Sequence, residues 1–376
     1  MLYLKKISLI NFKNYEDLDL EFSSRLNCFV GLNGSGKTNL LDAIHYLSFC
    51  KSYYNPIDSQ NIKHKEDFMM IQGYFDKDNQ EQTDEIHCGL KKNQKKVFKR
   101  NKKAYKKLSE HVGNYPIVMI SPYDKDLISG GSELRRKFID GVICQWDRNY
   151  LDTLNQYNKA LAQRNALLKD FEKRDYFDKD SLEIWDMQMD ELATVIHQKR
   201  KAFLEEFVPV FKHYFEKISN SREKVTMVYR SQLDKESLKD LFEQNLNKDR
   251  VMQYSTVGTH RDDLLLLMSG YPVKKYGSQG QQKSYSIAMK LAQFDFLKEK
   301  KSVAPVLLLD DIFDKLDPER VGSLLNFVSN GHFGQVFITD TDKGRLQNQL
   351  SGIEKEIRFF NVNQGKISSE EKTEIK

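Results

Sequence analysis

"GLNGSGKT" occupies Gly31–Thr38. The spacing G-x-x-x-x-G-K-T fits a loop in which successive backbone N–H groups wrap a phosphate. In such a loop Lys37 reaches the β- and γ-phosphates and Thr38 offers its hydroxyl to Mg2+. The positive end of the following helix adds to the attraction. So short a pattern also occurs by chance, so its flanks matter. Leu26–Val30 is an apolar run that reads as a buried strand. "TNLLDAIHYLSF" reads as a helix with Leu40, Leu41, Ile44 and Leu47 on one face. Strand, loop and helix in that order predict a nucleotide site made by Gly31, Leu32, Asn33, Gly34, Ser35, Gly36, Lys37 and Thr38.

A phosphate loop needs a carboxylate for its cation, and "APVLLLDDIF" supplies one. Pro305–Leu309 reads as a buried strand with Asp310 at its end, where a carboxylate can hold the Mg2+ water shell. Asp311 is placed to orient an attacking water. A lone D-D pair is more simply a turn, but not after an apolar strand in a chain with a phosphate loop. Between the two halves lies "KKYGSQGQQKSYSIAMK", a second Gly-Ser-Gln loop opening onto a helix. It resembles the S-G-G-Q loop of ABC-type ATPases, with Ser278, Gly280 and Gln281 matching and Gln279 in place of the first Gly. That resemblance implies binding to the γ-phosphate of ATP held by another protomer. "DKLDP", after the carboxylates, resembles the loop through which such ATPases touch across their dimer.

Outward from these motifs the chain reads as α/β, helical, then α/β again. "MLYLKKISLINF" and "LDLEFSSRLNCFVG" are strands, Met69 to Lys103 alternates in strand fashion, and "YPIVMISP" is a buried strand. From 135 to about 220 the chain is helical. Leu151, Leu154, Tyr157, Leu161 and Leu168 form one apolar stripe, and Trp185, Met189, Leu192, Ile196, Phe203 and Phe207 another, both read as packing faces. "EKVTMVYRSQL" returns to strand. Further strands are expected at "HRDDLLLLMSG", "APVLLLDD" and "QVFITD", and a helix from "DPER". Residues 1–134 and 251–376 are expected to form one ATPase head, with 135–250 inserted as a helical arm. "HRDDLLLL" is no kinase catalytic loop, because Leu267 stands where that loop needs Asn; His260 reads as structural.

At 39% hydrophobic and 30% charged, the composition is that of a soluble globular chain, with no apolar run of membrane-spanning length. Cys28, Cys50, Cys88 and Cys144 show no C-x-x-C spacing, as expected of reduced thiols in a cytoplasmic protein. Histidines form no ligand-spaced cluster. The net charge of +5 is unevenly placed: Lys91–Lys107 carries ten basic residues and no acidic one. Lysines on an edge strand prevent sheet-to-sheet pairing. The same stretch, through Lys95, Lys96, Lys99 and Arg100, is also the best candidate for contacts to a DNA phosphate backbone.

The motifs together carry a family resemblance. "INFKNY", "GLNGSGKTNLLDAI", "SPYDKDLISGG…RRKFID", "YLDTLNQYNKALAQRNALL", "GTHRDDL", "YGSQGQQKS" and "LLLDDIFDKLDPER" run along most of the chain. They resemble the RecF family of bacterial DNA replication and repair proteins. The resemblance implies a P-loop NTPase head of ABC-ATPase and SMC type, an ATP-dependent homodimer, ATP and Mg2+ as cofactors, DNA binding and slow hydrolysis. It also implies work with RecO and RecR in loading recombinase at single-strand gaps, and no membrane partner. Asp311 stands where many relatives place Glu, and Thr339 where transporters place His; both fit weak hydrolysis. Ser121–Asp124 lies in the region of the glutamine loop. The inserted arm is short beside the coiled coils of SMC proteins. The alternative, a transporter's nucleotide-binding subunit, is opposed by the helical insertion, Thr339 and the basic stretch. A non-hydrolysing ATP-binding scaffold would differ by turnover.

Overall fold

The structure, a computed structural model, describes residues 1–77, 82–219, 223–312, 322, 332–350 and 356–369. The "DKLDP" loop at 314–318, the helix expected from 317 and the tail from 370 lie outside the described residues. The chain begins with β1 (Leu2–Phe12), β2 (Tyr15–Glu21), β3 (Leu26–Val30), α1 (Lys37–Phe49), β4 (Phe68–Lys77), β5 (Asp84–Lys91), β6 (Val97–Arg100), β7 (Lys103–Ala104) and β8 (Ile117–Ile120). It continues through α2 (Lys125–Ser129), α3 (Ser132–Trp146), α4 (Arg148–Arg174), α5 (Lys179–Ser219), β9 (Val225–Arg230), α6 (Leu238–Met252), β10 (Asp263–Met268), β11 (Tyr271–Pro272), α7 (Val273–Tyr276) and α8 (Gln279–Lys301). It ends with β12 (Val306–Leu309), β13 (Val336–Asp340), a helix over Lys343–Leu350, β14 (Ile357–Asn363) and β15 (Lys366–Ser369).

Two compact units emerge, one of Met1–Asp124, Lys217–Asn220 and Ile287–Lys376, the other of Lys125–Glu216 and Ser221–Ser286. The first holds two six-stranded sheets, ordered β2-β1-β4-β5-β6-β7 and β15-β14-β3-β13-β12-β8. In the second of these sheets β3 lies between β13 and β14, parallel to both. A strand flanked on both sides and covered on both faces has no polar side to show, which is why all of "LNCFV" is buried. β1 instead alternates, burying Leu2, Leu4, Ile7 and Leu9, with one register shift between Leu4 and Lys6 against β4. α1 buries Leu40, Leu41, Ala43, Ile44, Tyr46 and Leu47 in the core that both sheets share. Phe29 stacks on Phe360 at 4.7 Å, and Phe22 meets Phe337 edge-on at 4.9 Å. Gln335, wholly buried, is tied across that core. Its amide donates to Leu4 O and Ser23 O at 2.8 Å, and its carbonyl accepts from Leu4 N at 2.7 Å.

The second unit contains the two expected apolar stripes, with Tyr157 and Leu168 of α4 and Met189, Ile196, Phe203 and Phe207 of α5 buried. Its organising groups are two buried arginines. Arg164 donates to Asp249 at 2.6 Å and to Ser255 at 2.9 Å, pairs with Asp186, and lies over the Phe242 ring. Arg200 holds Asp140 with two 2.9 Å bonds and reaches Thr259 O at 2.9 Å. Removing one partner of such a pair leaves a buried charge uncompensated, at a cost of about 3–5 kcal/mol. This unit also takes in 125–134 and 251–286, ranges that the sequence reading gave to the head. The reason is the pairing of β9 with β10, from Val225↔Met268 to Arg230↔Asp263. Arg135 adds a forked ion pair to Asp263 at 2.8 and 3.1 Å.

Buried histidines give the stability a pH dependence. His111 is wholly buried, donates from Nε2 to Leu47 O at 2.6 Å and accepts the Tyr105 hydroxyl at Nδ1. Burial pushes it, and likewise His45 and His260, down to about 4 from the ordinary 6.5. Between those values the unfolded chain binds more protons, so stability is full above pH 6.5 and is lost as pH falls toward 4. The melting temperature should therefore fall on acidification across that window. His111→Gln keeps a donor for Leu47 O without titrating, and should lessen the fall; an unchanged pH slope would exclude His111 as a contributor.

Candidate nucleotide site

The phosphate loop leaves the central strand β3 at its carboxyl end, where open α/β sheets bind ligands. Two of its glycines are required by space. A Cβ on Gly31 would lie 2.2 Å from Val362 O, and one on Gly36, where φ is 122°, would lie 2.5 Å from Asn14 Nδ2. The β1–β2 turn holds the loop from outside: Asn14 Nδ2 donates to Ser35 O at 3.1 Å, and the Tyr15 hydroxyl to Gly36 O at 2.9 Å. Leu32, Asn33 and Gly34 form an exposed rim. Lys37 is buried, its ammonium donating to Gly31 O at 2.8 Å and Leu32 O at 3.2 Å. Ser35 Oγ is buried without a hydrogen-bond partner among the described residues, a donor left unmet.

Asp310 follows β12 and meets the loop. Its Oδ1 accepts from the hydroxyls of Thr38 at 3.0 Å and Thr339 at 2.9 Å. Its Oδ2 accepts from the Tyr54 hydroxyl at 2.7 Å. Burial, then the Asp310 charge, push the Tyr54 phenol far above its ordinary range, so it remains a proton donor. Thr339 serves twice: its oxygen also accepts from the Asp311 backbone N–H at 2.9 Å, and Asp311 sits in the left-handed region at φ 49°. A hydroxyl and a carboxylate side by side are hard oxygen donors. They fit Mg2+, which takes one or two protein ligands and completes its shell with phosphate and water. The Ser121–Asp124 segment forms a buried ion pair: Asp124 accepts from Ser121 N at 2.7 Å, from the Tyr53 hydroxyl at 2.7 Å, and pairs with Lys290 at 3.1 Å.

In the second unit, Ser278 and Gln281 cap α8 reciprocally. Ser278 N donates to Gln281 Oε1 at 2.7 Å, and Gln281 N to Ser278 Oγ at 3.2 Å, which is a capping box. Gln281 Nε2 also donates to Glu223, and the Tyr285 hydroxyl to Thr226 O at 2.7 Å, so the start of α8 is fixed on the β9 side of this unit. The "GTHRDD" stretch lies in the same unit. His260 accepts the Tyr157 hydroxyl at Nδ1 at 2.8 Å and donates from Nε2 to Ser255 O at 3.1 Å, a packed structural histidine.

The basic stretch separates into two kinds of residue. Lys96 is spoken for: its ammonium pairs with Asp58 at 2.8 Å, caps Cys50 O and lies over the Tyr46 ring. Arg100 forks onto Asp84 at 2.9 and 3.0 Å. Against the upward push of burial, hydrogen bonds from Arg100, Tyr115 and Asn101 hold the Asp84 carboxyl below its ordinary range. Lys99 is half-buried, and Lys95 is exposed, as are Lys91, Lys102, Lys103, Lys106 and Lys107.

The sequence reading named the Gly31–Thr38 loop and Asp310, which the structure brings together, but not the contacts of Tyr54, Asn14 and Thr339 with them. The one visible cue was an aromatic doublet, "SYYN", directly after the phosphate-loop helix.

The family described as RecF/RecN/SMC N terminal domain matches residues 3–368. The DNA replication and repair protein RecF of Phocaeicola vulgatus is 50% identical over 366 residues, 97% of this chain and 98% of that one. A structure described as the recombination mediator protein RecF-ATP in the RecFOR pathway superposes with a TM-score of 0.89 at 33% identity, over 98% of both chains. The Smc head domain with an extended coiled coil bound to the C-terminal domain of ScpA, from Pyrococcus furiosus, superposes at 0.58 and 20% identity, over 98% of this chain and 96% of that one; it shows the fold alone. The fold is thus the P-loop NTPase head of ABC-ATPase and SMC type. Among the described residues no helix is long and apolar enough to cross a membrane.

Proposed function

Because the chain belongs to the RecF family of DNA replication and repair proteins, we propose that it is an ATP-gated DNA-binding ATPase. In this reading it dimerises on ATP, binds single- and double-stranded DNA near gaps, hydrolyses ATP slowly and helps RecO and RecR load recombinase in the cytoplasm. The observation that carries it is the 3.0 Å bond between Thr38 and Asp310, beside a phosphate loop with an unmet Ser35 hydroxyl. A relative described with ATP in the RecFOR pathway supports both the nucleotide and the partners.

In this reading the backbone N–H groups of Gly34–Thr38 bind the β-phosphate and Lys37 leaves its loop carbonyls for the β- and γ-oxygens. Thr38 and Asp310 would hold Mg2+, whose charge would offset that of the phosphates. Asp311 orients the attacking water. Its backbone is pinned by Thr339, and its side chain is one methylene shorter than Glu, which fits slow turnover and a switch rather than a motor. Ser278, Gln279, Gly280 and Gln281, at the capped start of α8, serve the γ-phosphate of the partner's ATP.

Two expectations follow from the shared site and from the divided basic stretch. Lys37→Arg and Ser278→Arg homodimers should each be inactive, since each site lacks one loop. In a mixed dimer one site collects both defects and the other has neither. Random pairing makes about half the dimers mixed, so up to roughly a quarter of wild-type ATPase should reappear near equal proportions. A flat line, with heterodimers shown to form, would refute sharing. Neutralising Lys95, Lys102, Lys103 and Lys106 should flatten the slope of log K against log salt for duplex DNA. The change should be roughly 0.9 for each phosphate no longer neutralised, equally for unrelated sequences. Lys96→Gln and Arg100→Gln should instead lower the melting temperature, because they remove the ammonium that pairs with Asp58 and the guanidinium that forks onto Asp84. Unchanged slopes in the first set would leave these lysines as edge protection.

A further inference from the structure

The loop after α1 is built to deliver one hydroxyl. Asp42, wholly buried on α1, accepts from the Tyr53 backbone N–H and from Ser52 Oγ, both at 2.6 Å, and pairs with Lys13. Lys13 also lies 5.6 Å from the Tyr54 ring centroid. Tyr53 and Tyr123 meet the Tyr54 ring edge-on at 5.1 and 5.4 Å. The Tyr53 hydroxyl is itself anchored on Asp124 at 2.7 Å. With its backbone, its ring faces and its neighbour all held, Tyr54 has little freedom to place its hydroxyl elsewhere than on Asp310 Oδ2, at 2.7 Å. Among the described residues it is the only side chain that donates to that oxygen, whereas Oδ1 has both Thr38 and Thr339.

We propose that Tyr54 is a positioning residue for the cation site: its hydroxyl sets the rotation of the Asp310 carboxylate, so that Oδ1 is presented beside Thr38. This rests on the nucleotide reading above and adds a residue to it. Without Tyr54 only the Oδ1 bonds from Thr38 and Thr339 would oppose rotation about Cβ–Cγ, leaving the carboxylate more freedom to turn and the hydroxyl–carboxylate pair that suits Mg2+ less firmly held. Fixing the second oxygen removes that freedom before the cation arrives, which is the usual service of a hydrogen bond behind a metal ligand. The bond is made by a neutral donor to a buried anion, the kind whose loss is felt most.

The test is a fluorescent ATP analogue titrated against wild type and Tyr54→Phe, first in EDTA and then across Mg2+ concentration. Phe keeps the ring contacts with Tyr53 and Tyr123 and removes the hydroxyl alone. The expected result is an unchanged affinity in EDTA and a Mg2+ midpoint raised by roughly ten-fold, the scale of one hydrogen bond to a charged group. A midpoint that stays or falls would overturn the proposal, a fall meaning that the hydroxyl competes with the cation. A parallel loss of affinity in EDTA would also overturn it, by reducing Tyr54 to a support of the fold. If wild type itself shows no tightening by Mg2+, the nucleotide reading fails and this inference with it.

Discussion

The carboxylate of Asp310 is the point on which the head depends. Thr38 and Asp310 are 272 positions apart in sequence, yet share a hydrogen bond of 3.0 Å. That contact demands that the strands ending in the phosphate loop and in Asp310 lie in one sheet, parallel, with one strand between them. β3, β13 and β12 meet this demand, and β8 adds itself to the far side of β12. Since β8 and β12 are paired neighbours, whatever lies between them in the chain is inserted between adjacent strands. The second unit lies wholly within that span. Its own buried arginines, Arg164 and Arg200, give it a framework independent of the head's aromatic core.

How much of this could be read from residues alone depended on how local each signal is. The phosphate loop is contiguous, and its strand and helix stand on either side, so Gly31–Thr38 was fully legible. Asp310 was legible because four buried strand residues precede it. Tyr54 was not, since a phenol in a loop carries no mark of the carboxylate it will meet 256 positions later. Gln335 is similar: a polar residue opening a buried strand looks like a boundary, and its three bonds to Leu4 and Ser23 exist only after two sheets have packed. The compact unit over Lys125–Glu216 and Ser221–Ser286 has other limits than the 135–250 arm expected from sequence, for a related reason. β9 pairs with β10 across the whole of α6, and helical periodicity conceals such a pairing. The basic stretch misled in part. Ten cations among seventeen residues look uniform until the fold sets Asp58 against Lys96 and Asp84 against Arg100.

Mechanistically, a nucleotide site completed by a second chain turns binding into assembly. ATP would then act as the adhesive between two heads, and hydrolysis as the timer that releases them. A carboxylate as short as Asp311, with its backbone fixed on Thr339, suits a timer. DNA contacts through exposed lysines would be electrostatic and indifferent to sequence, leaving the choice of site to the structure of the DNA and to partner proteins.

ATP is proposed to join two copies of this chain. That joining is tested most directly by the mass of the protein in solution, measured by light scattering with ATP and Mg2+, with ADP and Mg2+, and with ATP in EDTA. Sharing of the γ-phosphate requires the mass to double in the first condition and remain that of one chain in the other two. The same mass in all three, whether of one chain or of two, would contradict it.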